Sequence, residues 1–208
     1  MTYEIYSSGP AETNSILFYI ETSPLALLFD APLGCVRHWE KRLAKLGKSL
    51  GALFLTHSHW DHTADVAKAK KVWGMPVGIH KEDLENLEKP GSDGLPMMFS
   101  IEPAFADFFV ADGEEKTIGG ITLKVLHSPG HTPGCVCYYL PQFALLISGD
   151  TLFKGTIGNL SFPTARPQFM KDSLKKVLSL PPETLVIPGH GEMTTIGKEQ
   201  DIIRRFYG

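Results

Sequence analysis

The sequence predicts a mixed α/β (α+β) fold in which two mixed sheets pack together with helices outside. Three observations point there. Strand-like runs lead in each half of the chain and helical periodicities alternate with them. No linker-like stretch divides the 208 residues, a length that suits one domain with a sizeable core over 1–208. Apolar strand ends run repeatedly into turn residues that carry His or Asp.

Tyr3–Tyr6 is short and rich in β formers. Ser15–Ile20 and Leu25–Asp30 follow, parted by Glu21-Thr22-Ser23-Pro24, as in a hairpin. From 35 to 47 the spacing is helical: Val36, Trp39, Leu43 and Leu46 share a face, and Gly47 is a stop signal. Gly51–Leu55 is wholly apolar, as a strand buried on both faces requires. Asp61–Trp73 reads as helix closed by Gly74-Met75-Pro76, Pro76–His80 as a short strand, and Lys81–Glu88 as a short helix. Residues 89–113 are the least regular, and they are expected to pack on the core rather than to act as a lid. Ile118–Leu126, Cys135–Leu140 and Phe143–Ser148 read as strands, the last two joined by Pro141-Gln142. A helix over Phe169–Leu178, a strand at Leu185–Ile187 and a helix over Lys198–Phe206 complete the pattern.

With 43% hydrophobic and 21% charged residues, the composition is that of a soluble globular protein. The net charge of -3, with no basic stripe, argues against nucleic acid as a partner. No run approaches the roughly 20 apolar residues of a membrane span. The start, Met-Thr-Tyr-Glu-Ile-Tyr, lacks the order of a signal peptide. A cytoplasmic protein without membrane association is therefore expected. Three cysteines, an odd count, argue against a disulfide framework. Cys135 and Cys137, two apart in a strand, share one face and read as buried reduced thiols.

The chemistry is carried by Thr56-His57-Ser58-His59-Trp60-Asp61-His62. His57 and His59 point to one side of an extended segment, and Asp61 and His62 stand at the mouth of a helix. Imidazole and carboxylate are the ligand set of zinc and its first-row neighbours. Three more strand ends offer His131, Asp150 and His190, each held in a Pro/Gly turn. Together they supply enough ligands for two metals. Thr56 and Asp30 are candidate partners that orient the histidines, and Ser58 is a candidate helix cap. His127 and His80 read as packing and helix-entry residues, and His38 as surface.

His57-x-His59-x-Asp61-His62, Gly130-His131, Gly149-Asp150 and Gly189-His190 resemble the complete ligand motifs of the metallo-β-lactamase superfamily, in order and over nearly the whole chain. Ser128–Gly134, Gly149-Asp150-Thr151-Leu152-Phe153 and Ile187–Gly191 are most similar to the glyoxalase II group of hydroxyacylglutathione hydrolases. The resemblance implies a four-layer αββα sandwich. It implies two divalent metal ions, zinc foremost and iron or manganese as alternatives. His57, His59 and His131 would hold one, Asp61, His62 and His190 the other, and Asp150 would bridge them. Water activated between the metals would attack a small thioester, for example a glutathione conjugate such as S-lactoylglutathione, with Asp61 taking up a proton.

Two departures from the group bear on the substrate. Many relatives carry Gly-Arg-x-Asp-Phe where this chain has Gly158-Asn159-Leu160-Ser161-Phe162, which leaves Asn159 and the nearby Arg166 as candidate substrate contacts. The chain also has no counterpart of the C-terminal helical domain with which full glyoxalase II enzymes help bind glutathione, so a short form is expected. The rival readings are a mononuclear iron persulfide dioxygenase, whose family shares Gly130–Val136, and a lactonase or phosphodiesterase on the same metals. The Pro188-Gly189-His190-Gly191 turn favours the hydrolase over the dioxygenase.

Overall fold

The computed structural model describes residues 2–208. Strands β1 (Thr2–Ser8), β2 (Thr13–Tyr19) and β3 (Leu25–Phe29) form an antiparallel meander. Helix α1 (Cys35–Leu46) crosses over so that β4 (Ser49–Phe54) pairs parallel with β3. Helices α2 (Trp60–Thr63) and α3 (Val66–Trp73) lead to β5 (Val77–His80), which lies parallel to β4. Helix α4 (Leu84–Glu88) and an irregular stretch precede β6 (Phe108–Val110), parallel to β5.

The second sheet opens with four antiparallel strands: β7 (Glu115–Ile118), β8 (Ile121–His127), β9 (Val136–Leu140) and β10 (Leu145–Gly149). A small ribbon of β11 (Leu152–Phe153) and β12 (Thr156–Ile157) follows. After α5 (Pro167–Leu178), β13 (Leu185–Pro188) returns parallel to β10, and β14 (Thr194–Thr195) and α6 (Ile202–Tyr207) complete the described chain. The strand orders are β1-β2-β3-β4-β5-β6 and β14-β13-β10-β9-β8-β7.

Side-chain alternation sets the layers. Ile16, Phe18, Leu27, Phe29 and Phe54 of the first sheet meet Leu123, Val125, Tyr138 and Ile147 of the second in one buried cluster. The opposite face of the first sheet, Leu17, Leu28 and Leu53, packs on Val36, Trp39 and Leu43 of α1. The outer face of the second, Cys137, Leu146 and Val186, packs on Met170, Leu174 and Val177 of α5 and Ile202 of α6. The result is the αββα sandwich. Each such fully buried Leu or Phe contributes roughly 1.5–3 kcal/mol.

Some local expectations are corrected. The helix read over 61–73 breaks at Ala64-Asp65. Asp65 turns inward there, and its Oδ2 accepts from Gly34 N at 2.9 Å and Val36 N at 3.2 Å, satisfying free amides at the start of α1. Ser58 caps no helix, because α2 starts after His59 and has no side-chain cap. Cys135 precedes β9 rather than lying in it, while all three thiols are free and buried. The stretch 89–113 divides: Ile101 and Ala104 are buried, Met98, Phe105 and Phe109 are exposed, and 108–110 is strand. The strand read from Ile118 is a hairpin whose first arm, β7, has alternate exposed positions. The last helix starts at Ile202, after a 3₁₀ turn at Ile196–Glu199.

Candidate metal centre

All seven proposed ligands meet at one edge of the sandwich, brought by loops from both sheets. His57, His59, Asp61 and His62 follow β4, His131 lies in the β8–β9 loop, Asp150 follows β10 and His190 follows β13. Their ligand atoms form overlapping sets: His57, His59 and His131; His57, His62 and Asp150; Asp61, His62 and His190, with atoms in each within 4.8 Å of one another.

The outer nitrogens of four rings are held by acceptors. His131 Nδ1–H donates to Asn159 O at 2.9 Å and His190 Nδ1–H to Ala11 O at 3.0 Å. His62 Nδ1–H donates to Asp30 Oδ2 at 2.8 Å. Thr56 Oγ1 gives its own proton to Asp30 Oδ2 at 2.8 Å, so it accepts from His57 Nδ1–H at 3.1 Å. A carbonyl or carboxylate can only accept, so these contacts place the proton on Nδ1 and turn Nε2 inward. Asp30 thus orients one histidine directly and a second through Thr56. It does so from a left-handed backbone conformation, φ 54°, that a non-glycine residue rarely adopts.

Inside the ring of ligands, Nε2 of His57 and His131 are buried without any hydrogen-bond partner, while His59 Nε2 has Asp93 Oδ2 at 4.0 Å beside it. Orphaned imidazole nitrogens buried in a cluster of ligand-type side chains are costly unless a cation takes their lone pairs. The donor set therefore fits a metal. In the second set, Nε2 of His62 stands 3.3 Å from Nε2 of His190 and 3.5 Å from Asp61 Oδ2. Asp150 lies between the sets, Oδ1 being 3.3 Å from His62 Nε2 and Oδ2 3.3 Å from His131 Nε2.

Electrostatics separate the two sets. Burial pushes His57 well below the usual histidine range, helped by the charge of His62 and His59. Burial and then His131 lower His59 to about 3. On the other side burial opposes charge but loses. Contacts with Asp150 and Asp61 raise His190 to about 9, and Asp61, Asp30 and Asp150 hold His62 well above its usual value. Burial likewise opposes ionisation of Asp61, but His62 and His190 bring it to about 2.

A cavity of ≈ 340 Å³ opens over the ligands, lined by Trp60, Leu95, Phe153, Asn159 and Phe162 beside Asp61, His131, Asp150 and His190. Asn159 thus faces the site. Arg166 does not line it: the guanidinium folds back on Thr164 O and Ala165 O and lines a neighbouring groove with His127 and Phe169. His80, Glu82 and His127 also cluster, but the two rings stack within 15° of parallel and His127 Nε2 already meets Pro133 O at 2.9 Å. Their lone pairs do not converge on a point. His80 accepts from Glu82 N at the start of the 3₁₀ turn, and His38 is exposed on α1.

Contacts from the β1–β2 turn and the first residue of β2 carry no sequence signature. The Ala11 carbonyl holds His190, and Thr13 Oγ1 donates to Asp61 Oδ2 at 2.9 Å. A main-chain acceptor looks the same whatever the residue. Trp60 is legible because it stands within the first ligand motif, and Phe162 because it ends the Gly158–Phe162 segment.

The profile of the metallo-β-lactamase superfamily matches residues 21–190, and the chain belongs to this superfamily of metal-dependent hydrolases. Among curated relatives, the probable metallo-hydrolase YqgX of Bacillus subtilis is 33% identical over 93% of this chain and 92% of its own length. The hydroxyacylglutathione hydrolase GloC of Haemophilus influenzae is 31% identical over 96% and 95%. Among solved structures, the BLEG-1 B3 metallo-β-lactamase superposes with a TM-score of 0.89 at 32% identity, covering 100% of both chains. TTHA1623 in a di-iron-bound form gives 0.81 at 35% identity, covering 95% of this chain and 96% of that one.

Proposed function

We propose that this protein is a dinuclear metal-dependent thioesterase acting on a small thioester of the hydroxyacylglutathione type. The observation that carries the reading is the pair of ligand sets joined at Asp150, with Nε2 of His57 and His131 buried and unpartnered in one of them. His57, His59 and His131 would hold one divalent ion and Asp61, His62 and His190 the other, with zinc the first candidate and iron or manganese the next. Bound there, the ions would supply hydroxide from water at neutral pH and polarise a carbonyl. The likeness to the Haemophilus hydroxyacylglutathione hydrolase supports a thioester, and the di-iron-bound relative supports a two-metal site.

The chain's own residues would do the rest. Trp60, Phe153 and Phe162 form apolar walls that exclude water from the acyl group. Asp61 lines the cavity and Thr13 Oγ1 donates to its Oδ2; its carboxylate would be the group that takes up a proton. Asn159 Oδ1 accepts from Ser161 N at 2.8 Å, leaving its amide N–H groups for an acyl or carrier oxygen. A thiolate leaves readily, so no dedicated acid is needed.

The test is a turnover panel of S-lactoylglutathione, other small thioesters, a lactone, a phosphodiester and a β-lactam, with metal content measured on the same sample. About two metals per chain and thioester turnover exceeding the other classes are expected. A preference for another ester class, or one iron with oxygen uptake on a persulfide, would overturn the proposal.

A further inference from the structure

Asp83 belongs to neither ligand set, yet its carboxylate is tied to both loops that carry the first one. It ends the 3₁₀ turn Lys81–Asp83 after β5, and it is only 3% exposed. Oδ2 accepts from Ser58 N at 2.8 Å and from Thr132 Oγ1 at 2.9 Å, and Oδ1 accepts from Gly134 N at 2.6 Å. Ser58 lies between His57 and His59, and Thr132 follows His131. Two of the three donors, Ser58 and Thr132, therefore adjoin every histidine of that set, and Gly134 closes the same loop as His131.

The fit is close. A Cβ at position 134 would stand 2.5 Å from Asp83 Oδ1, so only glycine lets that strand entrance approach. Asn86, one helical turn on, donates to Ser58 O at 2.7 Å, so residue 58 is held at both its N–H and its C=O. The donors to the Asp83 carboxylate are two main-chain N–H groups and one hydroxyl, all neutral. A buried carboxylate with only neutral donors is costly, and an apolar side chain would avoid that cost. What the carboxylate does instead is join a loop of the first sheet to a loop of the second.

We propose that Asp83 is a positioning residue that sets the separation of the His57–His59 loop from the His131 loop, and so the affinity of the metal those histidines hold. This rests on the two-metal reading above. The other set has separate supports: Asp30 for His62, Ala11 O for His190 and Thr13 for Asp61.

The experiment measures stepwise zinc affinities of the metal-free full chain by competition with a chelating indicator, with Tm alongside. The variants are Asp83→Ala, Asp83→Asn and, as a stability control, Val177→Ala in α5. For Asp83→Ala one zinc per chain binds about 10–100-fold more weakly, as for lost partners of ligand residues generally, and the other is unchanged. Asp83→Asn falls between, because its oxygen still accepts while its amide faces the Gly134 N–H; it carries the test if the alanine variant does not fold. Val177→Ala lowers Tm and leaves both affinities alone. Loss of both zinc ions in parallel with Tm, or no change in either affinity, overturns the proposal. A wild type that binds a single zinc would overturn the two-metal reading instead, and Asp83 would then be judged by the same ratio for that one ion.

Discussion

Adding zinc back to the metal-free protein at pH 7 is expected to expel protons from one half of the site. His190 is raised to about 9, so at pH 7 its protonated form prevails in the metal-free protein. His62 is raised too. A ligand must lose its proton to bind a metal. The sign is therefore that zinc affinity of the Asp61, His62 and His190 set falls as pH drops below 9. For His190 alone the fall is about tenfold per pH unit, or roughly 2–3 kcal/mol between pH 9 and pH 7. His57 and His59 behave oppositely, since burial lowers both and His59 stands at about 3. They have no proton to lose at pH 7. A pH-stat titration in unbuffered solution should read at least one proton released per chain, reduced by about one in His190→Ala. Metal retained after dialysis between pH 8 and pH 5 should leave in two stages, with the His190 set emptying first. No proton release, or loss of both metals in one step, would refute the reasoning.

Three further outcomes follow from the packing around the ligands. A Cβ at position 189 would stand 2.2 Å from Asp150 Oδ1 and 2.7 Å from His62 Cε1. Gly189→Ala should therefore displace one of them and lower metal content below two per chain by elemental analysis; full occupancy would contradict this. Asp30→Asn keeps the size but removes an acceptor shared by His62 and Thr56, and should weaken metal binding by about 10–100-fold in a chelator competition. Leu28→Ala, in the cluster under α1, should cost about 2–5 kcal/mol in denaturant unfolding without changing metal stoichiometry.

The ligand set is legible because strand ends meet turns at short, fixed spacings. His57 to His62 are neighbours in the chain, and His131, Asp150 and His190 each follow an apolar run with a glycine before them. The layers are legible where burial is continuous, as in β2, buried at all seven positions. Where the partner is distant the sequence is silent. Asp65 looks like any acidic residue in a helical run, and only its bonds to the start of α1 explain the break at Ala64-Asp65. Asp83 has the look of a helix-entry acid, and its three donors lie 25 to 51 residues away. The edge strand β7 mixes exposed and half-buried positions and offers no apolar pattern to find. Arg166, close to the site in sequence, turns its guanidinium onto its own loop.

The bond from His190 to the Ala11 carbonyl joins residues 179 positions apart. During synthesis the acceptor emerges long before the ring that needs it. The four ligands at 57–62 are also out well before the other three. A nascent chain can therefore hold only a partial and poorly oriented set of donors. Full-strength metal capture would wait until the second sheet has docked on the first, so that a loaded site would report that the sandwich has closed.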